Sequence, residues 1–294
     1  MNFLQRIRTL LGGPTPDQRG TAPLEPSHLP KPIMNQLGHN LLIGSAQSTG
    51  MERTHNEDTL FVMHGNATSM RGLPQFGLFI VADGMGGHRA GEIASAISVR
   101  RVAQRVLQDA FLKLFDVNGS AEIPALQDMM RGALQDANLA VVERVPGGGT
   151  TVTAMLLLGR QVTFGHVGDS RAYLINRHVS KVVTRDHSLV ERLKELGQLT
   201  DEEAAIHPQR NVLYRAVGQG ANLEVDVSTE PIPSDAYMLL CSDGLWGVIP
   251  DEEIREIIFS AHNPQIASEQ LVEAANAAGG PDNITAVLVY FPPG

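Results

Sequence analysis

Short apolar runs of strand length alternate along the chain with longer stretches whose apolar residues recur every three or four positions. The strand-like runs lie at Leu41–Gln47, Thr59–Met63, Phe76–Ala82, 150–158, 161–168, 171–176, 179–183, 223–229, 236–242 and Ile284–Phe291. They are rich in β-branched and aromatic residues, which suit a pleated, half-buried surface. Helical spacing predicts a long helix at about Gly87–Phe115, with Ile93, Ile97, Val99, Val102 and Val106 on its inner side. A second, at about Pro124–Val145, carries Leu126, Met130, Leu134, Ala137 and Val141. Shorter helices are expected at His187–Gly197, Asp201–Ile206, Asp251–Ser260 and Pro264–Ala278, and residues 64–75 read as a polar, Gly-containing connection. The brief connections among the strands of 150–183 demand antiparallel pairing. Runs of strands bracketed by helix pairs place the chain in the α+β class. The expected architecture is a four-layer α-β-β-α sandwich, two antiparallel sheets flanked by helix pairs.

Residues 1–40 stand apart from this pattern. Phe3, Leu4, Ile7, Leu10 and Leu11 fall on one face of a short helix beside Arg6 and Arg8, as in a membrane-surface or docking helix. Isolated helices of that length are marginal in water, so a frayed tail is the simpler reading. Pro14, Pro16, Pro23, Pro26, Pro30 and Pro32 follow as a linker of polyproline character. The expected organisation is therefore a flexible tail over 1–40 and one domain over 41–294. The net charge of −9 and the lack of a dense Lys/Arg stripe oppose a nucleic-acid partner. No apolar run reaches the length of a transmembrane helix, and no signal-peptide core is visible, which makes the cytoplasm the expected compartment and a monomer the expected state. The single Cys241 excludes an intrachain disulfide and reads as a small buried hydrophobe.

The chemistry gathers at strand ends. Phe76–Ala82 stops at Asp83-Gly84, the run before Ser242 stops at Asp243-Gly244, and another stops at Gly168-Asp169. Asp282-Asn283 precedes the last strand, and Asn56-Glu57-Asp58 precedes the strand at Thr59. A single strand-end Asp is usually a turn residue. Five of them, each beside Gly or Asn, suggest carboxylates converging on hard cations, which take oxygen ligands. An acid at the edge of a core needs a partner, because burying an unpaired charge is expensive. Gly84, lacking a side chain, can bring its carbonyl close to whatever Asp83 binds. Pro146-Gly-Gly-Gly149 lacks the Lys and the following helix of a P-loop and reads as a helix breaker.

Five segments and a closing sixth carry a resemblance: Gly50-x-x-Arg53-x-x-Asn56-Glu57-Asp58, Asp83-Gly-Met-Gly-Gly-His-x-x-Gly-Glu92, Gly149-Thr150-Thr151, Val167-Gly-Asp-Ser-Arg171, Ser242-Asp-Gly-Leu-Trp-Gly, and Asp282-Asn-Ile-Thr285. In this order the chain resembles bacterial members of the metal-dependent Ser/Thr protein phosphatases, the protein phosphatase 2C (PPM) family. The likeness implies hydrolysis of phosphoserine and phosphothreonine on proteins by a water activated between two divalent cations, Mn or Mg, in opposition to a bacterial Ser/Thr kinase. By resemblance, Asp83 bridges the cations and Gly84 offers its carbonyl to one. Asp243 and Asp282 supply the other, and Asp58, with Glu57 beside it, binds directly or through water. Arg53 supplies a fork matched to phosphate oxygens. Asp169, with Asp243, matches a weaker third cation site. A flap at about 187–217, where the family places one, is the segment positioned to select substrates.

One departure matters. Eukaryotic relatives carry a His after the Asp-Gly as the proposed acid for the leaving group; here that position is Met85, as in bacterial members. His88, His166, His187 and His207 read as scaffold, which leaves the proton to a water held by a cation. Arg171 resembles a structural partner of the site. A pseudophosphatase, the same fold used to bind phosphoproteins, would be favoured by loss of Arg53 or a metal Asp, and all are present. A two-metal nuclease is opposed by the acidic balance.

Overall fold

The computed structural model describes residues 41–66, 74–86, 89–116 and 122–293. The amphipathic stretch and proline linker of residues 1–40, and His88, lie outside them. Strand β1 (Leu42–Ser48) leads to β2 (Thr59–Gly65), β3 (Phe76–Ala82) and the short β4 (Gly84–Met85). Helices α1 (Arg89–Val106) and α2 (Leu126–Arg144) precede β5 (Gly149–Thr150), β6 (Val152–Leu158), β7 (Gln161–Val167), β8 (Arg171–Ile175) and β9 (Ser180–Val182). Two short helices, α3 (Leu189–Glu195) and α4 (Asp201–Ala205), come before β10 (Asp226–Pro231) and β11 (Ala236–Cys241). Helices α5 (Asp243–Trp246), α6 (Asp251–Ser260) and α7 (Pro264–Ala277) and strand β12 (Ile284–Phe291) follow.

The strands form two five-stranded sheets, β1-β12-β11-β8-β9 and β10-β7-β6-β3-β2, and every ladder in them is antiparallel. The alternation of side chains along a strand explains the layering. In β3, Leu78, Ile80 and Ala82 face α1 and α2, in a core with Val102, Leu134 and Val141. Phe79 and Val81 face the other sheet, where Leu240, Val287 and Val289 meet them. In β12, Ala286 and Leu288 turn to the opposite side, against Ile258 and Leu271 of α6 and α7. Three apolar layers between four layers of secondary structure give the expected α-β-β-α sandwich, and strands covered on both faces read as continuous apolar runs. Among the described residues no helix is long and apolar enough to cross a membrane.

Four details differ from the sequence pattern. Helix α1 ends at Val106 and continues as a π-helical turn, Leu107–Phe111, before a last helical stretch at Leu112–Leu114. The wider turn keeps Ala110 and Phe111 in the core, with the Phe111 ring 4.8 Å from that of Phe76. Ile93 is 45% exposed, because Gly91, Ala94, Ser95 and Ser98 occupy the inner face and let α1 approach closely. Strand β10 begins at Asp226; Leu223 and Val225 are buried ahead of the ladder. Finally, β7 and β8 do not pair: residues 168–170 cross from one sheet to the other.

Candidate active site

Both sheets present their chemistry at one end of the sandwich. The pairing of Thr59 with Ala82 sets Asp58 beside Asp83. In the other sheet, the pairings of Cys241 with Ala286 and Ser48 with Ile284 bring Asp243 and Asp282 to a common edge. Asp169 sits on the crossing between the sheets, and the β1–β2 loop, with Arg53 and Glu57, makes a second crossing. A cleft of about 600 Å³ results, lined by Arg53, Glu57, Asp83, Gly84, Met85, Asp169, Asp243 and Asp282. Asn211, Leu213 and Gln219, from the flap and the residues after it, line the same cleft. Of the acids expected in the site only Asp58 does not line the cleft; it is buried.

Backbone contacts hold Asp83. Its N–H donates to Thr151 Oγ1 (2.9 Å), and its carbonyl accepts from Thr151 N–H (2.8 Å) and Thr150 Oγ1 (2.7 Å). Gly84 pairs with Thr150 in a small ladder. A Cβ there would lie 2.4 Å from the Gly91 carbonyl oxygen and 2.6 Å from that of Glu57, so only glycine fits. Asp58 Oδ2 accepts from the hydroxyls of Ser242 (2.8 Å) and Thr285 (2.6 Å). Asn283 accepts the Glu57 N–H (2.7 Å) and donates to the carbonyls of Thr49 (2.8 Å) and His55 (2.9 Å), pinning the loop that carries Arg53. Arg53 Nη2 donates to Asp282 Oδ2 at 2.8 Å. Arg171 has structural partners: Asp186, Tyr173, and the Trp246 ring 3.6 Å below its guanidinium.

The electrostatics call for positive charge. Burial pushes the Asp58 carboxyl up to about 7, and Asp243 and Asp282 add to the rise against the two hydroxyl donors. Burial, then Asp58, Asp243, Asp169 and Asp282, holds Asp83 well above the usual carboxylate range. Burial and Asp243 do the same to Asp169, and burial and Asp282 raise Asp243. Oxygens Asp58 Oδ1 and Asp243 Oδ1 are buried without a hydrogen-bond partner. Buried carboxylates that repel one another and have free oxygens fit hard divalent cations. Among the described residues no three Asp, Glu, His or Cys side chains are already closed around one point in ligand geometry, so the acids line the cleft rather than cage it.

The histidines have other employment. His166 lies between Thr153 and the Arg185 carbonyl, and burial lowers its pKa to about 4. His207 Nδ1 accepts the Gln209 N–H at 3.1 Å, and His187 is buried against Gly168. Several supporting residues carry no signal of their own in the sequence. Ser242 and Thr285 hold Asp58, Thr151 holds Asp83, and Asn283 holds the Glu57 loop. Each sits inside a quoted motif, but hydroxyl and amide partners from distant strands cannot be read from periodicity.

An acidic cleft at one end of a four-layer α-β-β-α sandwich is a site suited to hard divalent cations. The protein phosphatase 2C family model matches residues 54–275. The serine/threonine phosphatase Stp of Listeria monocytogenes is 37% identical over 246 residues, covering 82% of this chain and 92% of that protein. The crystal structure of the Mycobacterium tuberculosis serine/threonine phosphatase PstP/Ppp superposes with a TM-score of 0.71 at 31% identity, covering 86% of this chain and 99% of that one. A PstP catalytic domain solved in complex with two manganese ions gives 0.68 at 28% identity over 85% of this chain and 99% of that chain. The chain belongs to the protein phosphatase 2C family, the metal-dependent Ser/Thr protein phosphatases.

Proposed function

We propose that this phosphatase hydrolyses phosphoserine and phosphothreonine on proteins with two divalent cations, Mn or Mg, which Asp83 would help to hold. The Gly84 carbonyl would serve one cation, and Asp243 and Asp282 would serve the other. Asp58, with Glu57, contributes directly or through water, and Asp169 with Asp243 holds a weaker third. Bound there, the cations would bring the pKa of a water towards neutrality and offset charge on the phosphoryl oxygens. The observation that carries this reading is the convergence of Asp83, Asp169, Asp243 and Asp282 on one cleft, with buried carboxylate oxygens left unpartnered. The manganese-bound PstP domain supports the choice of metal.

Arg53 is the phosphate fork. Its side chain is 54% exposed and holds Asp282, a carboxylate this reading assigns to cation binding. Giving up Asp282 frees the guanidinium for two phosphate oxygens. Asn211, Leu213 and Gln219 form the wall against which the phosphoprotein chain lies. The Ser/Thr phosphatases this chain resembles support a phosphoprotein partner; a Ser/Thr kinase and its substrates, met as a monomer in the cytoplasm, complete the proposal.

The test is Asp83→Asn and Asp243→Asn, assayed on a phosphothreonine peptide with saturating manganese. Each is expected to lower turnover by at least about a thousandfold. Near-normal turnover in either folded variant would sink the two-cation reading.

A further inference from the structure

Residues Gly168–Ser170 carry Asp169 across from β7 to β8, and nothing in a strand or helix ladder fixes their course. Gly168 has φ +110°, and a Cβ there would lie 2.6 Å from Thr151 Cβ. The direction of such a turn depends on what its polar groups bind. The Ser170 hydroxyl lies 2.6 Å from that of Thr151, and the Ser170 carbonyl accepts from Thr153 Oγ1 at 2.7 Å. Trp246 Nε1 donates to the Asp169 carbonyl at 3.1 Å. The remaining anchor is His187, which grips Gly168 twice. Its own N–H donates to the Gly168 carbonyl (2.8 Å), and its ring Nδ1 accepts the Gly168 N–H (3.0 Å).

A backbone N–H can only donate, so Nδ1 is the bare nitrogen and the proton sits on Nε2. Nε2 points outward, 3.0 Å from Arg215 Nη1 and 3.3 Å from Asp226 Oδ2, and Arg215 Nη1 also donates to Asp226 Oδ1 at 2.7 Å. The side chain is 1% exposed, and burial together with the Arg215 charge keeps it neutral. His187 is also the root of the flap. Its carbonyl accepts from Tyr214 N–H (3.0 Å), and Leu189 N–H donates to Val212 O (2.8 Å), which closes the flap's two ends on each other.

We propose that His187 is a positioning residue for the reaction: by accepting the Gly168 N–H it sets the Asp169 carboxylate in the cleft and ties that setting to the base of the flap. The proposal rests on the reading of Asp169 as a cation ligand. A merely space-filling histidine would need no bare Nδ1 to accept the Gly168 N–H.

Two amides separate the two nitrogens. Asn places an acceptor where Nδ1 stands and drops the bond to Asp226; Gln reaches Asp226 and drops the bond to Gly168. The full-length protein has one tryptophan, Trp246, hydrogen-bonded to Asp169, so its fluorescence reports on the turn. Mg(II) is titrated and Trp246 emission followed, with melting temperature alongside. His187→Gln is expected to raise the Mg(II) midpoint by at least about tenfold, the usual scale for lost support of a metal ligand. His187→Asn is expected to stay close to the unmutated protein, because the bond it drops does not touch Gly168. Equal midpoints in the two variants, or the reverse order, overturn the proposal. Asp169→Ala is run in parallel. If it leaves the midpoint unchanged, the reading of Asp169 as a ligand fails. If it moves the midpoint while His187→Gln does not, the positioning role alone fails. Should neither amide fold, nitrogen NMR of histidine-labelled unmutated protein decides: the Nε2–H tautomer is expected, and an Nδ1–H tautomer overturns the proposal.

Discussion

Asp83 and Thr151 exchange hydrogen bonds: Asp83 N–H donates to the Thr151 hydroxyl at 2.9 Å, and Thr151 N–H donates to the Asp83 carbonyl at 2.8 Å. The exchange fixes the backbone of the acid at the centre of the cleft from two directions. Thr151→Val removes the hydroxyl and keeps the volume. The buried Asp83 N–H then lacks an acceptor, which costs about 1–3 kcal/mol. Support of this kind is worth about 10–100-fold in metal affinity. The expected outcome is a higher manganese requirement in the phosphatase assay and a lower melting temperature, with Thr151→Ser close to the unmutated protein. Equal behaviour of the Val and Ser variants would remove the hydroxyl from the argument.

Arg53 and Asp282 form an ion pair at 2.8 Å across the mouth of the cleft. On the reading of Arg53 as the phosphate fork, Arg53→Ala removes that fork and the contact to Asp282 Oδ2. Loss of a bidentate, charge-assisted contact is expected to cost about 2–4 kcal/mol in kcat/KM on a phosphothreonine peptide. Cation binding measured by calorimetry should stay level or tighten, since Asp282 Oδ2 no longer has a competing cationic partner. Arg53→Lys should recover little, because an ammonium cannot present the planar fork. An unchanged kcat/KM in Arg53→Ala would take the residue out of the site.

The parts of this molecule that were legible in its sequence are those set by local pattern. Phe76–Ala82 reads as a buried strand because both its faces are covered, and the acid that ends it follows from the same run. Asp243 is visible in the same way, and Asp282 by standing just ahead of the last apolar run. What pattern could not supply is partnership across the chain. Asp58 is held by Ser242 and Thr285, 184 and 227 residues away in sequence. The inner face of α1 is written in Gly91, Ala94, Ser95 and Ser98, small residues that apolar spacing passes over, so Ile93, inward by spacing, lies outward. The π turn at Leu107–Phe111 keeps Phe111 against Phe76 and has no periodic signature of its own. The Gly168–Ser170 crossing is as short as a hairpin connection, and brevity alone misleads when a chain changes sheets.

Asp169 separates two kinds of substrate. If a cation held there positions the water that protonates the leaving group, Asp169→Ala should lower turnover of a phosphothreonine peptide steeply. p-Nitrophenyl phosphate should suffer less, because its leaving group needs little protonation. The opposing view makes Asp169 a turn residue whose loss destabilises the crossing. Melting temperature would then fall and both substrates would lose alike. Comparing the two substrates at saturating manganese decides the matter, and equal losses would argue against a proton-delivery role.

Cation binding should expel protons. Burial and neighbouring acids lift Asp58 to about 7 and hold Asp83 and Asp169 well above the usual carboxylate range. At pH 7 the cation-free cleft therefore holds protons that an unfolded chain has already lost. Raised carboxyl pKa values make the cation-free fold lose stability as pH rises from about 4 through about 7, since the unfolded state there binds fewer protons. Cations must displace those protons, so affinity should strengthen over the same rise. Calorimetric titration with manganese in buffers of different ionisation heat, at pH 7, should report net proton release. The gap in melting temperature between manganese-saturated and chelator-treated protein should widen as pH rises from about 5.5 to about 7.5, following the displaced protons. Binding heats independent of the buffer, or a gap that narrows with rising pH, would show that the acids of the cleft are already ionised before any cation arrives.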